Sequence, residues 1–177
     1  MRIISGSLKG RRLEAPDWDG IRPTSDKLRE TLFNVLGPGI DGARVVDGYA
    51  GTGAVGIEAL SRGAAHVTFV ERDRRAVALI EANLRRCGVA ERYAIIRGDF
   101  TPTLVPATAD IVFLDPPYGG SELTAALEAA DRIATAGTRV IIEHAKRDVV
   151  PARLGRLVLT RDLVSGDSAL AFYNADR

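Results

Sequence analysis

The sequence of 177 residues contains one cysteine, Cys87, which excludes an internal disulfide bond and suits a reducing compartment. No stretch approaches the roughly 20 consecutive apolar residues that span a bilayer. The first residues carry no long apolar run of the kind that a signal peptide needs. We therefore expect a soluble, cytoplasmic, monomeric protein with no membrane partner.

The sequence also lacks an excess of either charge, since the formal net charge is only +1. The basic residues are nevertheless concentrated at the start, because residues 1–12 contain no acid and carry Arg2, Lys9, Arg11 and Arg12. Such a strip can contact phosphate groups, although a solvated protein edge has the same composition. The two histidines, His66 and His144, lack metal-ligand spacing with another histidine, cysteine or acid, so we expect no metal.

The chain divides into a glycine-punctuated leader, residues 1–40, and a region of alternating elements, residues 41–177. In the leader, two short runs predict a hairpin that turns near Lys9 and Gly10. Apolar residues at helical spacing then predict a helix capped by Thr24 or Ser25. These elements are expected at Arg2–Leu8, Arg11–Ala15 and Asp26–Leu36.

Beyond the leader, predicted strands alternate with predicted helices. The strands are expected at 44–47, 66–71, 92–97, 110–114, 138–143, 156–164 and 168–173, and the helices at 53–62, 73–87 and 121–134. This alternation predicts an α/β fold with a mostly parallel sheet covered on both faces and an antiparallel C-terminal hairpin. Ligands bind such sheets at the carboxyl ends of the strands, so the residues that follow each strand are the candidates for chemistry.

A glycine-rich loop, Gly48–Gly56, follows the first predicted strand. Its glycines allow a tight turn and close approach to a ligand, and the next helix offers free N–H groups. Interpreted as Gly-x-Gly-x-x-Gly, the loop is typical of dinucleotide binding; interpreted as Asp-x-x-x-Gly-x-Gly, it is typical of methyltransferases that use S-adenosylmethionine. Both interpretations place a ribose against the acid that ends the second strand. The candidate residues for an adenosine-type cofactor are Asp47, Tyr49, Gly51, Gly53 and Glu71.

The third predicted strand is followed by Gly98, Asp99 and Phe100. A carboxylate directly after a strand can accept a hydrogen bond from the adenine amino group, and an aromatic ring beside it can pack on the adenine. Capping of the turn at Thr101 and Pro102 is the alternative role for Asp99. The three residues complete the candidate cofactor set.

The fourth predicted strand ends in Asp115-Pro116-Pro117-Tyr118. The prolines fix their φ angles and have no N–H donor, so the aspartate and the neighbouring carbonyls offer acceptors only. An exocyclic amino group is a pair of donors, and an aromatic ring is a face on which a base can stack. The motif therefore predicts a site that holds a flipped-out base with its amine directed at a methyl donor. A hydride-transfer enzyme has no evident use for such a loop, which favours the methyltransferase interpretation of the glycine loop.

Together these motifs resemble the ribosomal small subunit methyltransferase D family of bacteria, and the resemblance covers essentially the whole chain. The motif at the end of the fourth strand is shared by many amino methyltransferases, whereas the leader motifs narrow the resemblance to this family. The matching segments are Arg2–Gly6, Lys9–Leu13, Arg22–Asn34, Asp47–Gly53, Gly56–Ala64 and Asp115–Tyr118.

The resemblance implies a Rossmann-like class I S-adenosylmethionine-dependent methyltransferase with a seven-stranded sheet and an N-terminal hairpin and helix extension. It implies transfer of a methyl group to the 2-amino group of a guanine in small-subunit ribosomal RNA. An assembled or partly assembled 30S particle is the expected substrate, because the near-neutral chain should bind naked RNA only modestly. The leader is then expected to contact RNA through Arg11, Arg12, Arg22 and Lys27.

Two alternatives remain open at this point. DNA adenine and protein glutamine amino-methyltransferases use a similar loop of an acid or asparagine, two prolines and an aromatic residue. A nucleic-acid-binding module of the same fold that has lost catalysis would show damage at Gly51, Gly53 or Asp115, and all three are intact.

Overall fold

In a computed structural model, which describes residues 1–102, 105 and 108–177, the chain divides into two compact units, Met1–Asp99 and Phe100–Arg177. In the part of the chain that is described, no helix combines the length and the apolar character needed to cross a membrane.

The first unit combines three parallel strands with three helices. The strand order is β3-β2-β1, with register pairs such as Val46 with Thr68 and Phe69 with Ile95. The middle strand is buried, as expected for a strand flanked on both sides. The elements are α1 (Asp26–Leu36), a 3-10 helix (Gly37–Ile40), β1 (Arg44–Asp47), α2 (Ala54–Ser61), β2 (His66–Glu71), α3 (Arg74–Arg86) and β3 (Tyr93–Arg97).

The second unit contains one helix and five strands in the order β4-β5-β8-β7-β6. The first pair, β4 with β5, is parallel, and the remaining pairs are antiparallel. The long β7–β8 hairpin closes the chain, as the sequence predicts. The elements are β4 (Ile111–Leu114), α4 (Gly120–Ile133), β5 (Arg139–Ala145), β6 (Arg153–Leu154), β7 (Leu157–Ser165) and β8 (Ser168–Ala175).

The α/β fold with parallel strands and an antiparallel C-terminal hairpin is confirmed, with one correction to the strand number. The described residues contain eight strands rather than seven. The additional strand, β6, is only two residues long and pairs through Arg153 with Val158 and through Leu154 with Leu157. A pairing this short leaves no alternating pattern in the sequence by which it could be predicted.

The predicted leader hairpin forms, but it is shorter than expected. Its arms are joined by one antiparallel bridge between Arg2 and Arg12 and by hydrogen bonds from Ile3 N to Arg11 O, from Gly10 N to Ile3 O and from Leu13 N to Met1 O. Between the arms the backbone also bonds to α2, because Ser7 N donates to Ser61 O at 2.8 Å. At Gly6, where φ is +87°, any Cβ would overlap the Ser61 carbonyl, so only glycine permits this approach.

The helix of the leader, in contrast, forms where the sequence predicts it. Ser25 is the N-cap residue of α1, and its Oγ accepts a hydrogen bond from Leu28 N at 3.1 Å. The helix buries Leu28, Leu32, Phe33 and Leu36 on one face. The leader is therefore a structured part of the first unit.

Candidate functional site

The glycine loop lies between β1 and α2 in the first unit. Gly51 has φ +54° and Gly53, the N-cap residue of α2, has φ +78°, both in the left-handed region that favours glycine. Gly53 N donates to Ala50 O at 2.7 Å, which closes the turn. The predicted requirement for glycine at both positions is thus confirmed by the backbone.

Asp47 ends β1 and is almost completely buried. Its Oδ2 accepts the backbone N–H of Gly56 at 3.0 Å, so the carboxyl group ties the strand to the first turn of α2. Burial raises the pKa of Asp47 to about 7, against the lowering effect of the Gly56 hydrogen bond and with a further increase from the charge of Glu71. Asp47 therefore fixes the glycine loop by linking the end of β1 to the start of α2.

Glu71 ends β2 and holds the turn from the other side. Its Oε2 accepts Gly51 N at 2.9 Å, and its Oε1 accepts Asp73 N at 2.8 Å. The side chain is only partly buried, and each carboxylate oxygen has a further lone pair. The position of Glu71 is therefore fixed by backbone donors, while acceptor capacity remains for a ligand.

The segment after β3 lies beside Glu71, because Gly98 N donates to Glu71 O at 3.1 Å. Asp99 is exposed, and its carboxylate lies 3.6 Å from the guanidinium of Arg72. Tyr49 is half-buried in the glycine loop. Phe100, the first residue of the second unit, is buried.

The segment Asp115–Tyr118 follows β4 directly, at its carboxyl end. Asp115 is half-buried, Pro116 is buried, and Pro117 and Tyr118 are exposed. The register of the parallel pair β4–β5 joins Leu114 to Ile142, so the strands carry Asp115 and Glu143 to neighbouring positions. Acidic groups are therefore concentrated at this end of the second unit's sheet.

Tyr118 is held by its hydroxyl group and presents its ring to solvent. Its Oη lies 2.7 Å from Ser168 Oγ and donates to Glu143 Oε1 at 3.4 Å, while 40% of the residue is exposed. Both partners are buried and stand on β8 and β5. The aromatic side chain predicted for base stacking is thus partly exposed and is anchored at its hydroxyl group.

The basic residues expected to contact RNA all have exposed side chains. Arg12 forms the bridge with Arg2, and Arg11 precedes it in the chain. Arg22 precedes α1, and Lys27 lies in the first turn of that helix.

No group of three or more histidine, cysteine, aspartate or glutamate residues in the described part of the chain is arranged to hold a metal ion. His144 is buried, with Nδ1 2.9 Å from Ala145 O and Nε2 3.0 Å from Asp162 Oδ1. The expected structural role of this histidine is confirmed. Cys87 is a buried free thiol at the end of α3, as its position next to Gly88 indicates.

A family model described as Conserved hypothetical protein 95 matches residues 1–174. The ribosomal RNA small subunit methyltransferase D of Escherichia coli (strain K12) is 35% identical over 185 residues, covering 99% of this chain and 90% of that protein. The chain belongs to the ribosomal RNA small subunit methyltransferase D family. It is accordingly a methyltransferase, and the resemblance inferred from its motifs is confirmed.

Solved structures agree with this membership of the methyltransferase D family. The structure of the Escherichia coli protein yhhF matches with a TM-score of 0.86 at 33% identity, covering 99% of this chain and 98% of that chain. An RNA methyltransferase from Salinibacter ruber, solved in complex with S-adenosyl-L-homocysteine, matches with a TM-score of 0.71 at 18% identity, covering 88% of this chain and 95% of that chain. The expected Rossmann-like class I methyltransferase fold is therefore confirmed.

Three residues near these sites were not singled out in the sequence. Glu143 and Ser168 anchor Tyr118, and Asn83 contacts the glycine loop through Thr52 O. Glu143 lies on β5, one residue beyond the Leu114–Ile142 pair, and its place at the predicted end of that strand is the signal by which it could have been found. Asn83 lies in the middle of a helix, where a polar residue ordinarily indicates a solvated face.

Proposed function

We propose that this methyltransferase transfers a methyl group from S-adenosylmethionine to the 2-amino group of a guanine in small-subunit ribosomal RNA. The observation that carries the proposal is Asp115-Pro116-Pro117-Tyr118 at the carboxyl end of β4, with the ring of Tyr118 exposed and its hydroxyl group anchored. The same substrate class is supported by the Escherichia coli relative that is named as a ribosomal RNA methyltransferase and is 35% identical over 99% of this chain.

The residues of the first unit fit S-adenosylmethionine by the chemistry of their acceptors. The ribose hydroxyls, the adenine amino group and the ammonium group of this cofactor are donors. The first unit offers the carboxylates of Glu71 and Asp99 after neighbouring strands, beside a turn whose two glycines have positive φ. We assign Glu71 to the ribose, Asp99 to the adenine amino group, and Tyr49, Gly51, Gly53 and Gly98 to the walls of the site. Phe100, which follows Asp99 in the chain, is assigned to the adenine ring from the sequence. Asp47 acts on the same site through the Gly56 hydrogen bond.

The cofactor supplies an electrophilic methyl group when bound, so the protein has to orient the nucleophile. An exocyclic amine is a poor nucleophile because its lone pair is delocalised into the ring. Hydrogen bonds accepted by Asp115 and by the carbonyls beside it from the amine N–H groups favour rotation of the lone pair out of conjugation. The amine loses one proton as the N–C bond forms and the S–C bond of the methyl donor breaks, and the Asp115 carboxylate is the candidate acceptor for that proton. Pro116 and Pro117 keep this accepting surface rigid, and Tyr118 stacks on the base. Positioning of this kind can supply several kcal/mol of the barrier.

Contacts with the RNA backbone are assigned to the leader. We propose residues 1–40 as an RNA-contacting extension of the methyltransferase domain at 41–177, with the exposed side chains of Arg11, Arg12, Arg22 and Lys27 on phosphates. Because the net charge is only +1, electrostatic affinity for bare RNA is expected to be small. We therefore propose an assembled or partly assembled 30S particle as the substrate, met by a monomer in the cytoplasm.

The deciding experiment measures methyl transfer from labelled S-adenosylmethionine to small ribosomal subunits that lack the modification. The wild type is compared with Asp115→Ala and with Glu122→Ala, a matched acid-to-alanine change at an exposed position in the first turn of α4. We expect N2-methylguanine from the wild type and from Glu122→Ala, and a rate at least a hundredfold lower from Asp115→Ala. Binding of S-adenosylhomocysteine should be retained by all three.

Two results would overturn parts of this proposal. If the label appeared in methyladenine of DNA or in a glutamine side chain, the proposed substrate would be wrong, but the reaction would still be methylation of an amino group. Cofactor binding without transfer to subunits, bare RNA, DNA or protein would leave only the nucleic-acid-binding module of the same fold.

A further inference from the structure

Asn83 is a completely buried polar side chain that joins the leader to the glycine loop. Its Oδ1 accepts Glu14 N at 2.7 Å, and its Nδ2 donates to Glu14 O at 3.2 Å and to Thr52 O at 3.0 Å. These partners fix the orientation of the amide, since one is an N–H group and two are carbonyl oxygens. A single side chain on α3 therefore bonds to both backbone groups of one leader residue and to the turn between Gly51 and Gly53.

The leader continues along the same loop after Glu14. A Cβ placed on Gly51 would lie 3.5 Å from Cγ2 of Ile21, so the leader borders the glycine that bonds to Glu71. Trp18 packs under Arg75, whose Cζ lies 5.0 Å from the centroid of the indole ring. We call residues 14–21 the leader clip.

The other contacts of the leader clip, the Glu14–Arg86 ion pair and the Trp18–Arg75 contact, stabilise its position only weakly. The ion pair between Arg86 and Glu14 has both side chains about half-exposed, and exposed pairs are weak. Trp18 is half-buried, and the Arg75 that stacks on it is exposed and also pairs with Asp73, so this contact is partly solvated. The hydrogen bonds of the buried Asn83 amide are the strong attachment, because its loss would leave the buried Thr52 carbonyl without this partner and would release both backbone groups of Glu14.

We propose that Asn83 is a positioning residue that couples the leader clip to the cofactor loop, so that cofactor binding and ordering of the RNA-contacting leader depend on each other. This inference rests on the cofactor assignment of the proposed function. Thr52 lies between the two glycines assigned to the cofactor, and a fixed Thr52 carbonyl fixes the turn. By linkage, a ligand that binds the ordered turn more tightly must also stabilise the clip.

The test measures S-adenosylhomocysteine binding by titration calorimetry and amide hydrogen exchange of residues 14–21 with and without that ligand. In the wild type we expect binding and slower exchange in the clip when the ligand is present. In Asn83→Ala we expect at least tenfold weaker binding and no ligand-dependent protection of the clip. Asn83→Asp keeps an oxygen for Glu14 N but has no donor for Thr52 O, so we expect it to resemble Asn83→Ala.

Two controls separate positioning from general destabilisation. Arg86→Ala removes the exposed ion pair with Glu14 and leaves the Asn83 hydrogen bonds in place, so its affinity should equal that of the wild type. Leu127→Ala removes a buried side chain from α4 in the other unit and should lower stability without changing affinity. Folded Asn83→Ala or Asn83→Asp protein with wild-type affinity, or an equal loss of affinity in Leu127→Ala, would overturn the inference. Absence of binding by the wild type would instead overturn the cofactor assignment of the proposed function, and the inference with it.

Discussion

Glu58 on α2 and Arg29 on α1 form an ion pair in which both side chains are completely buried, with Oε2 3.4 Å from Nη1. The same carboxylate accepts Ile4 N at 2.8 Å and Ser5 N at 3.0 Å. It therefore organises three segments at once: the helix that carries it, the leader helix and the first residues of the leader. The leader hairpin is short because Glu58 takes the N–H groups of Ile4 and Ser5.

Glu58→Gln is expected to lower the free energy of unfolding by about 3–5 kcal/mol, because the buried guanidinium of Arg29 loses one of its two carboxylate partners and Arg62 loses its ion pair with Glu58. Asp26 also pairs with Arg29, but it is half-exposed and cannot replace a buried carboxylate. Urea denaturation checks the change. The matched control is Glu14→Gln, which breaks an exposed pair with Arg86 and should cost less than about 1 kcal/mol. Equal, small losses in the two variants would show that the buried pair is not important for stability.

Gly56→Ala is expected to destabilise the protein although alanine is the better helix former. A methyl group on Gly56 would overlap the ring of Phe69 and lie 2.9 Å from Cγ1 of Val67, both on the buried strand β2. Overpacking of this kind costs about 1–3 kcal/mol, more than the roughly 1 kcal/mol gained in helix propensity. The urea midpoint measures the outcome. Gly120→Ala, where a Cβ meets no atom within 4 Å, should leave the midpoint unchanged or raise it.

The parts of the fold that follow from local pattern could be predicted from the sequence. Ser25 caps α1, the glycines at 51 and 53 have positive φ, and the segment Asp115–Tyr118 follows a buried strand. Each depends on residues close together in the chain, and each corresponds to a specific backbone requirement. Family membership confirms the fold that these signals indicate.

The parts that depend on distant partners could not be predicted. Glu58 and Asn83 look like solvated polar residues on helices, but their partners in the leader lie 53 to 69 residues away in the chain. Burial of a polar side chain is tolerated only when such partners exist, and a single sequence does not show them. The same reason accounts for the short leader hairpin, since the N–H groups of Ile4, Ser5 and Ser7 bond to α2.

Asp47→Asn is expected to change how stability depends on pH. Burial raises the pKa of Asp47 to about 7 from 3.8, so the folded protein holds a proton between about pH 4 and pH 7 that the unfolded chain has released. Stability contributed by this group therefore falls as pH rises through that window. Asparagine has no charge to bury, so the variant should gain roughly 2–3 kcal/mol relative to the wild type between pH 5 and pH 8.

Urea denaturation at pH 5 and at pH 8 measures the difference in free energy of unfolding between Asp47→Asn and the wild type, with Glu91→Gln as an exposed acid-to-amide control. The difference between variant and wild type removes the contributions of other titrating groups, apart from Glu71, whose charge lies nearest to Asp47. A difference that stays constant from pH 5 to pH 8 would show that Asp47 is ionised throughout this range.

Tyr118 has two separable features, an exposed ring and an anchored hydroxyl group. If the ring stacks on the target base, Tyr118→Ala should remove about 1–3 kcal/mol of transition-state binding, which lowers kcat/KM for small subunits roughly fivefold to 150-fold. Tyr118→Phe keeps the ring and removes only its hydrogen bonds to Ser168 and Glu143, so a loss of about threefold to tenfold is expected.

Ser168→Ala removes one of the two anchors without touching the ring and should cost no more than Tyr118→Phe. The double variant Tyr118→Phe with Ser168→Ala should then be no worse than Tyr118→Phe alone, because the phenylalanine has already removed the bond to Ser168. Methyl transfer to small subunits measures all four variants, with S-adenosylhomocysteine affinity as the control that should stay constant. An equal loss in Tyr118→Phe and Tyr118→Ala would contradict stacking, because the phenylalanine ring keeps the face on which a base would lie. The hydroxyl group, rather than the ring, would then be the part that contributes to the reaction.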